Sequence, residues 1–206
     1  MMLLIEKYFP SLDNKKSETF LKLEKIYYEW NQKINLISRK DFIFFEERHL
    51  LHSLSIGLII KFRNGSKILD IGTGGGFPGI PLAILYPDVE FTLNDSITKK
   101  CKVIEYIVKE LDLKNVKIIN KRAEDINNSY DFVISRAVAS LPQLWKWSYN
   151  KISKNSFNEV SNGLLSLKGG DLSREIASIN RNCKIWNLSD FFEEKFFETK
   201  KVVLIW

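Results

Sequence analysis

The apolar residues of this chain recur with two different periods. From residue 17 to about residue 62 they return every three or four positions, which is the spacing of an amphipathic helix. These apolar residues form two helical stripes. The first stripe ends before a break at Ser38–Asp41, and the second stripe follows this break and ends near Asn64-Gly65. The stripes consist of Phe20, Leu23, Tyr27, Trp30 and Ile34, and of Phe44, Leu51, Leu54 and Leu58. We therefore predict a helical N-terminal segment over residues 1–64.

Beyond this segment, short apolar runs alternate with helical stretches, of which Thr98–Leu111 is the clearest. The predicted strands are Lys67–Ile71, Glu90–Asn94, Val116–Asn120, Tyr130–Ser135, Gly163–Leu167, Cys183–Leu188 and Val202–Trp206. Such alternation predicts an α/β domain over residues 65–206 with a mostly parallel, doubly wound sheet. The last two strands have no helix between them, so we expect them to pair antiparallel at one end of the sheet.

Composition and charge narrow the class of protein. The chain has 206 residues, and an apolar fraction of 45% excludes wholesale disorder. No apolar run reaches the roughly 18 residues of a membrane span, and Glu6 interrupts the first apolar stretch, so we expect neither membrane nor secretion. Two cysteines without metal spacing fit a reduced, cytoplasmic protein. The net charge of +6 favours a polyanionic partner such as nucleic acid, although a lysine-rich surface would explain it equally well.

The strongest local signal is a glycine-rich turn after the first predicted strand, with glycines at 72, 74, 75 and 76. Such a turn lets the backbone approach a ligand at the carboxyl end of a strand. A dinucleotide site would need a third glycine where Phe77 stands, and the Gly-Lys-Ser/Thr of a phosphate loop is absent. The sequence from Asp70 to Gly74 instead resembles the first motif of class I methyltransferases, which bind S-adenosylmethionine (AdoMet). The ligand's ammonium gives Asp70 a possible role, and a turn without ligand remains the alternative.

Two later strand ends carry groups suited to an adenosine. Asp95 closes the second strand at the distance from the glycines where a carboxylate accepts ribose hydroxyls. It would also suit the start of the helix near Ile97 as a cap. The third strand leads into Ala123-Glu124-Asp125, where methyltransferases place an acidic residue against the adenine amino group; a solvated turn is the alternative.

Missing motifs restrict the acceptor. The Asp/Asn-Pro-Pro-aromatic motif of exocyclic amine methylation does not occur after the fourth strand, at 134–141. Cys101 lies on an apolar helical stripe and Cys183 stands near the C-terminus, so both look structural. His49 and His52 lack a paired acid. The methyl acceptor should therefore be an atom that is already nucleophilic.

Three other functions remain as alternatives to an RNA methyltransferase. They are a methyltransferase for protein or small molecules, a non-catalytic RNA- or AdoMet-binding regulator, and a nicotinamide oxidoreductase.

The chain resembles the glucose-inhibited division protein B family along nearly its whole length. The motifs that carry the resemblance are Asn35-Leu36, Glu47–Leu54, Gly72–Leu82, Asn94-Asp95-Ser96, Arg122–Asp125, Ser135–Ser140 and Leu167-Lys168-Gly169. The resemblance implies a class I, Rossmann-like methyltransferase with a seven-stranded sheet. It also implies that AdoMet methylates N7 of a guanine in a loop of bacterial 16S ribosomal RNA.

The resemblance also assigns roles to single residues. It implies that AdoMet contacts Gly72, Phe77, Ala123, Glu124 and Arg136, with Asp95 at the ribose and Arg136 also positioning the substrate. No general base and no metal are expected, because guanine N7 carries a free lone pair. The implied partner is 16S rRNA or the small ribosomal subunit, and we expect a monomer. Two departures from the family pattern are His52, where an Asp is usual, and Lys200 or Lys201, where an Arg is common.

Some side chains in the helices and loops remain open between two roles. The basic candidates for RNA contact are Arg48, His49, Arg122 and Lys168. Trp145 and Trp147 could stack on bases, but aromatic residues in a predicted helix usually belong to the core.

Overall fold

The computed structural model describes residues 4–33, 37 and 39–206. Its centre is a seven-stranded sheet in the order β3-β2-β1-β4-β5-β7-β6. The strands are β1 (Lys67–Ile71), β2 (Glu90–Asn94), β3 (Val116–Ile119), β4 (Phe132–Arg136), β5 (Gly163–Gly169), β6 (Cys183–Asn187) and β7 (Lys200–Ile205). β1 to β5 pair in parallel, whereas β7 runs antiparallel to both β5 and β6. The predicted fold class and the antiparallel pair are confirmed, and each strand lies within two residues of its predicted bounds.

Successive residues of the central strands point into two separate apolar cores. Ile68 and Phe132 belong to a core on one face, whereas Leu69 and Val133 belong to a core on the other. Because both faces of these strands are covered, their sequences are almost continuously apolar. The larger core contains the N-terminal helices as well as α5 (Gly79–Leu85) and α6 (Thr98–Glu110). The smaller core contains residues of α7 (Leu141–Ser148) and packs against α8 (Ser173–Ala177).

The described part of the N-terminal segment is mostly helical. Its helices are α1 (Leu4–Tyr8), α2 (Asn14–Asn31), α3 (Arg39–Phe42), a π-helix (Glu46–Leu51) and α4 (His52–Ile59), which continues the π-helix directly. Asp13 starts α2 as an N-cap, since its Oδ1 accepts the Lys16 N–H at 2.8 Å.

The segment departs from the sequence prediction in one place. The predicted break at Ser38–Asp41 is partly wrong, because α3 begins at residue 39. Ile34, Asn35-Leu36 and Ser38 lie outside the described residues. The predicted boundary between residues 64 and 65 coincides with a turn before β1, but the helices share one core with the sheet. The division into two domains therefore stays a prediction.

Candidate cofactor site and its RNA-facing neighbour

A cleft of about 290 Å³ opens at the carboxyl ends of β1, β2 and β3. In sheet order, β1 lies between β2 and β4, so the chain's direction of winding changes beside β1. Open α/β sheets bind ligands at such a switch point. The residues that line the cleft are Ile71, Gly72, Asn94, Asp95, Ser96, Lys100, Lys121, Arg122, Ala123, Glu124, Ala137, Val138 and Trp147. They come from the ends of three strands and the segments just after them, the first turn of α6, the loop after β4 and Trp147 of α7.

The glycine-rich turn forms the floor of the cleft at Gly72. Its φ angle is +65°, a conformation that favours glycine, and a Cβ here would lie 2.7 Å from Val138 Cγ2. The Tyr27 hydroxyl of α2 donates a hydrogen bond to the carbonyl of Gly75. The N-terminal segment therefore holds the turn from outside.

Asp70 supports this turn from below and does not reach the cleft. It is fully buried, and its Oδ2 accepts hydrogen bonds from Thr73 Oγ1 at 2.7 Å and from the Gly79 N–H at 2.9 Å. Burial raises the pKa of the carboxyl to about 7. The sequence suggested that Asp70 binds the ammonium of the ligand. The structure instead gives it the role of fixing the shape of the turn.

Asp95 stands at the end of β2 and joins two loops. Its Oδ2 accepts the Gly74 N–H at 3.0 Å, and its Oδ1 accepts the Ile97 N–H at 2.9 Å just before α6. Lys100 Nζ lies 3.9 Å from Oδ2. The N-cap role that the sequence left as an alternative is wrong, because Ile97 is the N-cap residue of α6 and Asp95 binds the N–H of that residue, before the helix begins. Each carboxylate oxygen can accept a second hydrogen bond, so the same group can still take a ribose hydroxyl.

The far wall of the cleft combines the loop after β3 with α7. Ala123 and Glu124 lie on a short 3-10 turn, and Trp147 faces them from α7. Trp145, two residues earlier, does not line the cleft and lies under the guanidinium of Arg181. Both tryptophans are partly buried against the smaller core, as expected for aromatic residues of a helix, and Trp147 borders the cleft as well. Helical periodicity locates the buried stripe of α7 but does not reveal that its neighbouring face borders a ligand cleft.

Arg136 and Phe77 lie beside the cleft rather than in its lining. The Arg136 guanidinium carbon sits 4.9 Å from the centre of the Phe77 ring. Its Nη1 donates to the Arg48 carbonyl at 3.2 Å, and its Nη2 lies 3.2 Å from His49 Nδ1. Burial lowers the pKa of Arg136 to about 10, so it remains charged at neutral pH. Of the six residues predicted to bind cofactor, Gly72, Asp95, Ala123 and Glu124 thus share one cavity, whereas a cofactor contact of Phe77 or Arg136 stays a prediction.

His49 is held neutral at this position. Burial lowers its pKa to about 3, with the Arg136 charge acting in the same direction. Because a guanidinium can only donate, His49 Nδ1 accepts and Nε2 carries the proton. His49 Nε2 has no hydrogen-bond partner among the described residues.

The four basic residues proposed for RNA contact have different surroundings. Arg122 lies on the exposed rim of the cleft, and Arg48 pairs with Asp41 at 2.7 Å. Lys168 is turned inward, since its Nζ lies 3.0 Å from Glu175 Oε2 and its side chain is 12% exposed. Its ammonium therefore serves to join β5 to α8.

The sheet order with one antiparallel strand, the cleft at the switch point and the acidic residue after β2 together define a class I methyltransferase. Solved structures share the fold at low sequence identity. A variant of MtNAS in complex with S-adenosylmethionine aligns with a TM-score of 0.62, at 13% identity over 92% of this chain and 75% of that one. A precorrin-6y C5,15-methyltransferase from Geobacter metallireducens aligns with a TM-score of 0.55, at 13% identity over 84% of this chain and 92% of that one.

The family is established by sequence. The model of the GidB family, described as rRNA small subunit methyltransferase G, matches residues 16–203. Relatives named ribosomal RNA small subunit methyltransferase G occur in Christiangramia forsetii, with 52% identity over 98% of this chain and 95% of the relative, and in Cytophaga hutchinsonii, with 50% identity over 98% of both. The chain belongs to this family.

Family membership bears out the main functional predictions made from the sequence. It confirms the resemblance, the AdoMet-dependent methyltransferase activity and the methylation of 16S rRNA, with guanine N7 as the target atom that follows from the family. No helix in the part of the chain that the structure describes has the length and apolarity needed to span a bilayer.

Proposed function

We propose that the cleft beside Gly72 binds AdoMet, and that a 16S rRNA guanine is presented to it from the side of Arg136 and His49. The observation that carries this assignment is the meeting of Gly72, Asp95 and the 123–124 loop in one cavity at the switch point. These residues lie far apart in the sequence, and each supplies a group suited to one part of an adenosine.

The cleft suits AdoMet in shape and in chemistry. Asp95 offers carboxylate lone pairs to the ribose, and Glu124 offers an acceptor to the adenine amino group. Val138 and Trp147 provide apolar walls for a flat base. The bound cofactor supplies a methyl group activated by a sulfonium. The task of the protein is therefore to hold the acceptor atom in line with that methyl, about 3 Å away.

The residues around the site fit a transfer without a general base. His49 is neutral, and in this tautomer its Nε2 carries a proton. His49 therefore cannot remove a proton from the methyl acceptor through Nε2. The thiol of Cys101 is buried and donates to the Asp95 carbonyl at 3.4 Å, which makes it part of the packing. Guanine N7 has no proton to lose. Arg136 would contribute by placing the base and its phosphate, since it keeps its charge without an ion pair within hydrogen-bonding distance among the described residues.

The decisive experiment supplies labelled AdoMet with unmodified 16S rRNA and with small subunits, and maps the methylated nucleotide. We expect 7-methylguanosine at one position. The Cys101→Ala, Cys183→Ser double variant should transfer methyl within about tenfold of wild type in a single turnover, because no covalent step is needed. Arg136→Ala should lose about a hundredfold or more.

Two outcomes would contradict the proposal. A well-folded wild-type protein that transfers methyl to neither form of RNA would refute the function. A cysteine variant that binds AdoMet and RNA normally but transfers nothing would refute the mechanism without a nucleophile.

We also infer that the protein works as a monomer in the cytoplasm, where ribosomal subunits are made. The cofactor cleft is lined by residues of a single chain, which supports this inference. Sedimentation at working concentration tests it, and a stable dimer would contradict it.

A further inference from the structure

Beside the methyltransferase cleft, aromatic rings and cations alternate along one surface. The Arg48 guanidinium carbon lies 4.0 Å from the centre of the Phe44 ring and 5.7 Å from that of Phe196. Lys200 Nζ lies 4.6 Å from the centre of the same Phe196 ring. We call these four residues, Phe44, Arg48, Phe196 and Lys200, the aromatic–cation row.

The row is open to solvent, unlike the apolar cores behind it. Phe44 is 42% exposed, and the side chain of Arg48 is 33% exposed. Phe196 and Lys200 are partly exposed. Asp41 offsets the charge of Arg48, whereas Lys200 has no carboxylate within salt-bridge distance among the described residues. A ring and a cation displayed together in this way offer both a stacking surface and a phosphate contact.

The row lies at the same edge of the sheet as the cofactor cleft. Lys200 begins β7, which runs antiparallel to β5, so it pairs with Gly169 at the carboxyl end of β5. Arg48 lies on the π-helix, and its carbonyl accepts the hydrogen bond from Arg136 at the end of β4. Arg136 in turn covers Phe77 of the glycine-rich turn. Arg136 and Phe77 therefore connect the row to the glycine-rich turn.

The local backbone suits a surface of this kind. The π-helix is widened by a bond from the His52 N–H to the Glu47 carbonyl, five residues apart. Such widened turns are common at functional sites. Here the turn places Arg48 between two rings that come from different parts of the chain, one before it and one from the link between β6 and β7.

We propose that the aromatic–cation row binds a nucleotide of the rRNA loop next to the methylated guanine, stacking its base on the rings and meeting its phosphate with Lys200. This inference rests on the proposed function. Unstacked bases of RNA loops are recognised by aromatic side chains and arginine planes, and backbone phosphates by cations. The net charge of +6 complements this partner.

The experiment measures single-turnover methylation of small subunits, taken from cells lacking the enzyme, at increasing subunit concentration. Phe44→Leu and Phe196→Leu keep apolar bulk but remove the ring. Each should raise the half-saturating subunit concentration about tenfold, because base stacking is lost, with the maximal rate nearly unchanged. Phe196→Tyr should behave as wild type, and Lys200→Gln should reduce the salt slope of binding by about one.

Phe157→Leu is the matched control, since Phe157 is 44% exposed in a loop outside the row. It should leave half-saturation unchanged. Calorimetry with AdoMet should give the same affinity for every variant. The proposal that the row binds RNA is overturned if both leucine variants have the half-saturating subunit concentration of the wild type. It is also overturned if these variants lose AdoMet affinity in parallel. In both cases methylation by the wild type still supports the proposed function. A wild type that methylates no RNA overturns the proposed function itself and is seen before any variant is compared.

Discussion

At the scale of single residues, the chain reuses side chains for structure and for ligand contact at once. Asp95 ties the glycine-rich turn to the start of α6 through two backbone N–H groups, yet it also borders the cleft. Asp70 holds the same turn from below and Tyr27 holds it from the N-terminal segment, and neither lines the cleft. Of the two aspartates that bind the turn, Asp95 at the end of β2 is thus the one that a ligand can reach.

Asp95→Ala should weaken AdoMet binding by about 1–3 kcal/mol, because ribose hydroxyls lose a charged acceptor and Gly74 loses its anchor. Titration calorimetry with AdoMet measures the change directly. Asp88→Ala, an exposed position outside the cleft, is the control. An Asp95→Ala variant with the affinity of the wild type would mean that Asp95 only joins the Gly74 and Ile97 loops.

Trp147→Ala should also weaken AdoMet binding, by about 1–3 kcal/mol if the indole stacks on the adenine. In the wild type, saturating S-adenosylhomocysteine should quench tryptophan fluorescence, and Trp147→Phe should abolish most of that quenching. Trp145→Phe should retain it, since that ring does not line the cleft. Quenching that survives Trp147→Phe would exclude the indole from the adenine wall.

At the scale of elements, the π-helix and α4 bury two histidines in unlike surroundings. His49 meets Arg136, while His52 lies edge-on to Phe196 and Phe197 and is 7% exposed. Burial lowers the pKa of His52 well below its usual value. The resemblance implies an Asp at this position, whereas this chain carries an imidazole that burial keeps neutral.

The two buried histidines should make the protein less stable in acid. The pKa of His49 falls from 6.5 to about 3 on folding, so the unfolded state binds more protons between those values. Stability therefore falls as pH drops below about 6.5, by at most about 1.4 kcal/mol per pH unit for each such histidine. Asp70 acts in the opposite direction between about pH 4 and 7, because its pKa is raised, and offsets one histidine.

Urea unfolding at pH 7 and pH 5 checks the effect of the histidines. The free energy of unfolding should be lower at pH 5, and His52→Leu should reduce the difference between the two values. If the free energy of unfolding falls by the same amount between pH 7 and pH 5 in wild type and in His52→Leu, then His52 does not cause the loss of stability in acid.

At the scale of the whole molecule, the carboxyl edge of the sheet is divided between two tasks. The ends of β1, β2 and β3 carry the cofactor cleft, while the ends of β4 and β5 and the start of β7 carry Arg136, Gly169 and Lys200. The N-terminal helices cover the second half and supply Arg48 and His49. The helical segment thus contributes two residues that contact Arg136 beside the proposed site.

RNA binding should fall steeply as salt rises, because each phosphate contact releases counterions. Filter binding of 16S rRNA between about 50 and 200 mM salt measures the slope, which should reach about −0.7 to −0.9 per contact. Chloride replaced by glutamate at one concentration controls for anion effects. A flat response would mean that the charge of +6 plays no part in binding.

Much of this arrangement could be predicted from sequence, because strands buried on both faces and glycine-rich turns leave strong local patterns. The bounds of the strands and the placement of Gly72, Asp95 and the 123–124 loop at one sheet edge follow from such patterns and from the connectivity of parallel sheets. The methyl transfer from AdoMet to guanine N7 was instead implied by the resemblance to a known family. The sequence did not reveal Trp147 as a wall of the cleft or Lys168 as an inward-facing residue, since these depend on how α7 and α8 rotate against the sheet.

The aromatic–cation row was also out of reach of sequence patterns. It joins Phe44 to Phe196, which lie in irregular segments, and its spacing comes from a π-helix. Neither helical nor strand periodicity describes such a surface.

The position of β7 has a consequence for the order in which the protein is made. β7 lies between β5 and β6 in the sheet, although it is synthesised after both. On a translating ribosome, β6 has no partner strand until residues 200–205 have left the exit tunnel. Phe196 and Lys200 leave the tunnel at about the same time, so the surface proposed to bind ribosomal RNA is completed last. All residues that line the cofactor cleft precede residue 148, so they are synthesised before the proposed RNA-binding surface can be completed.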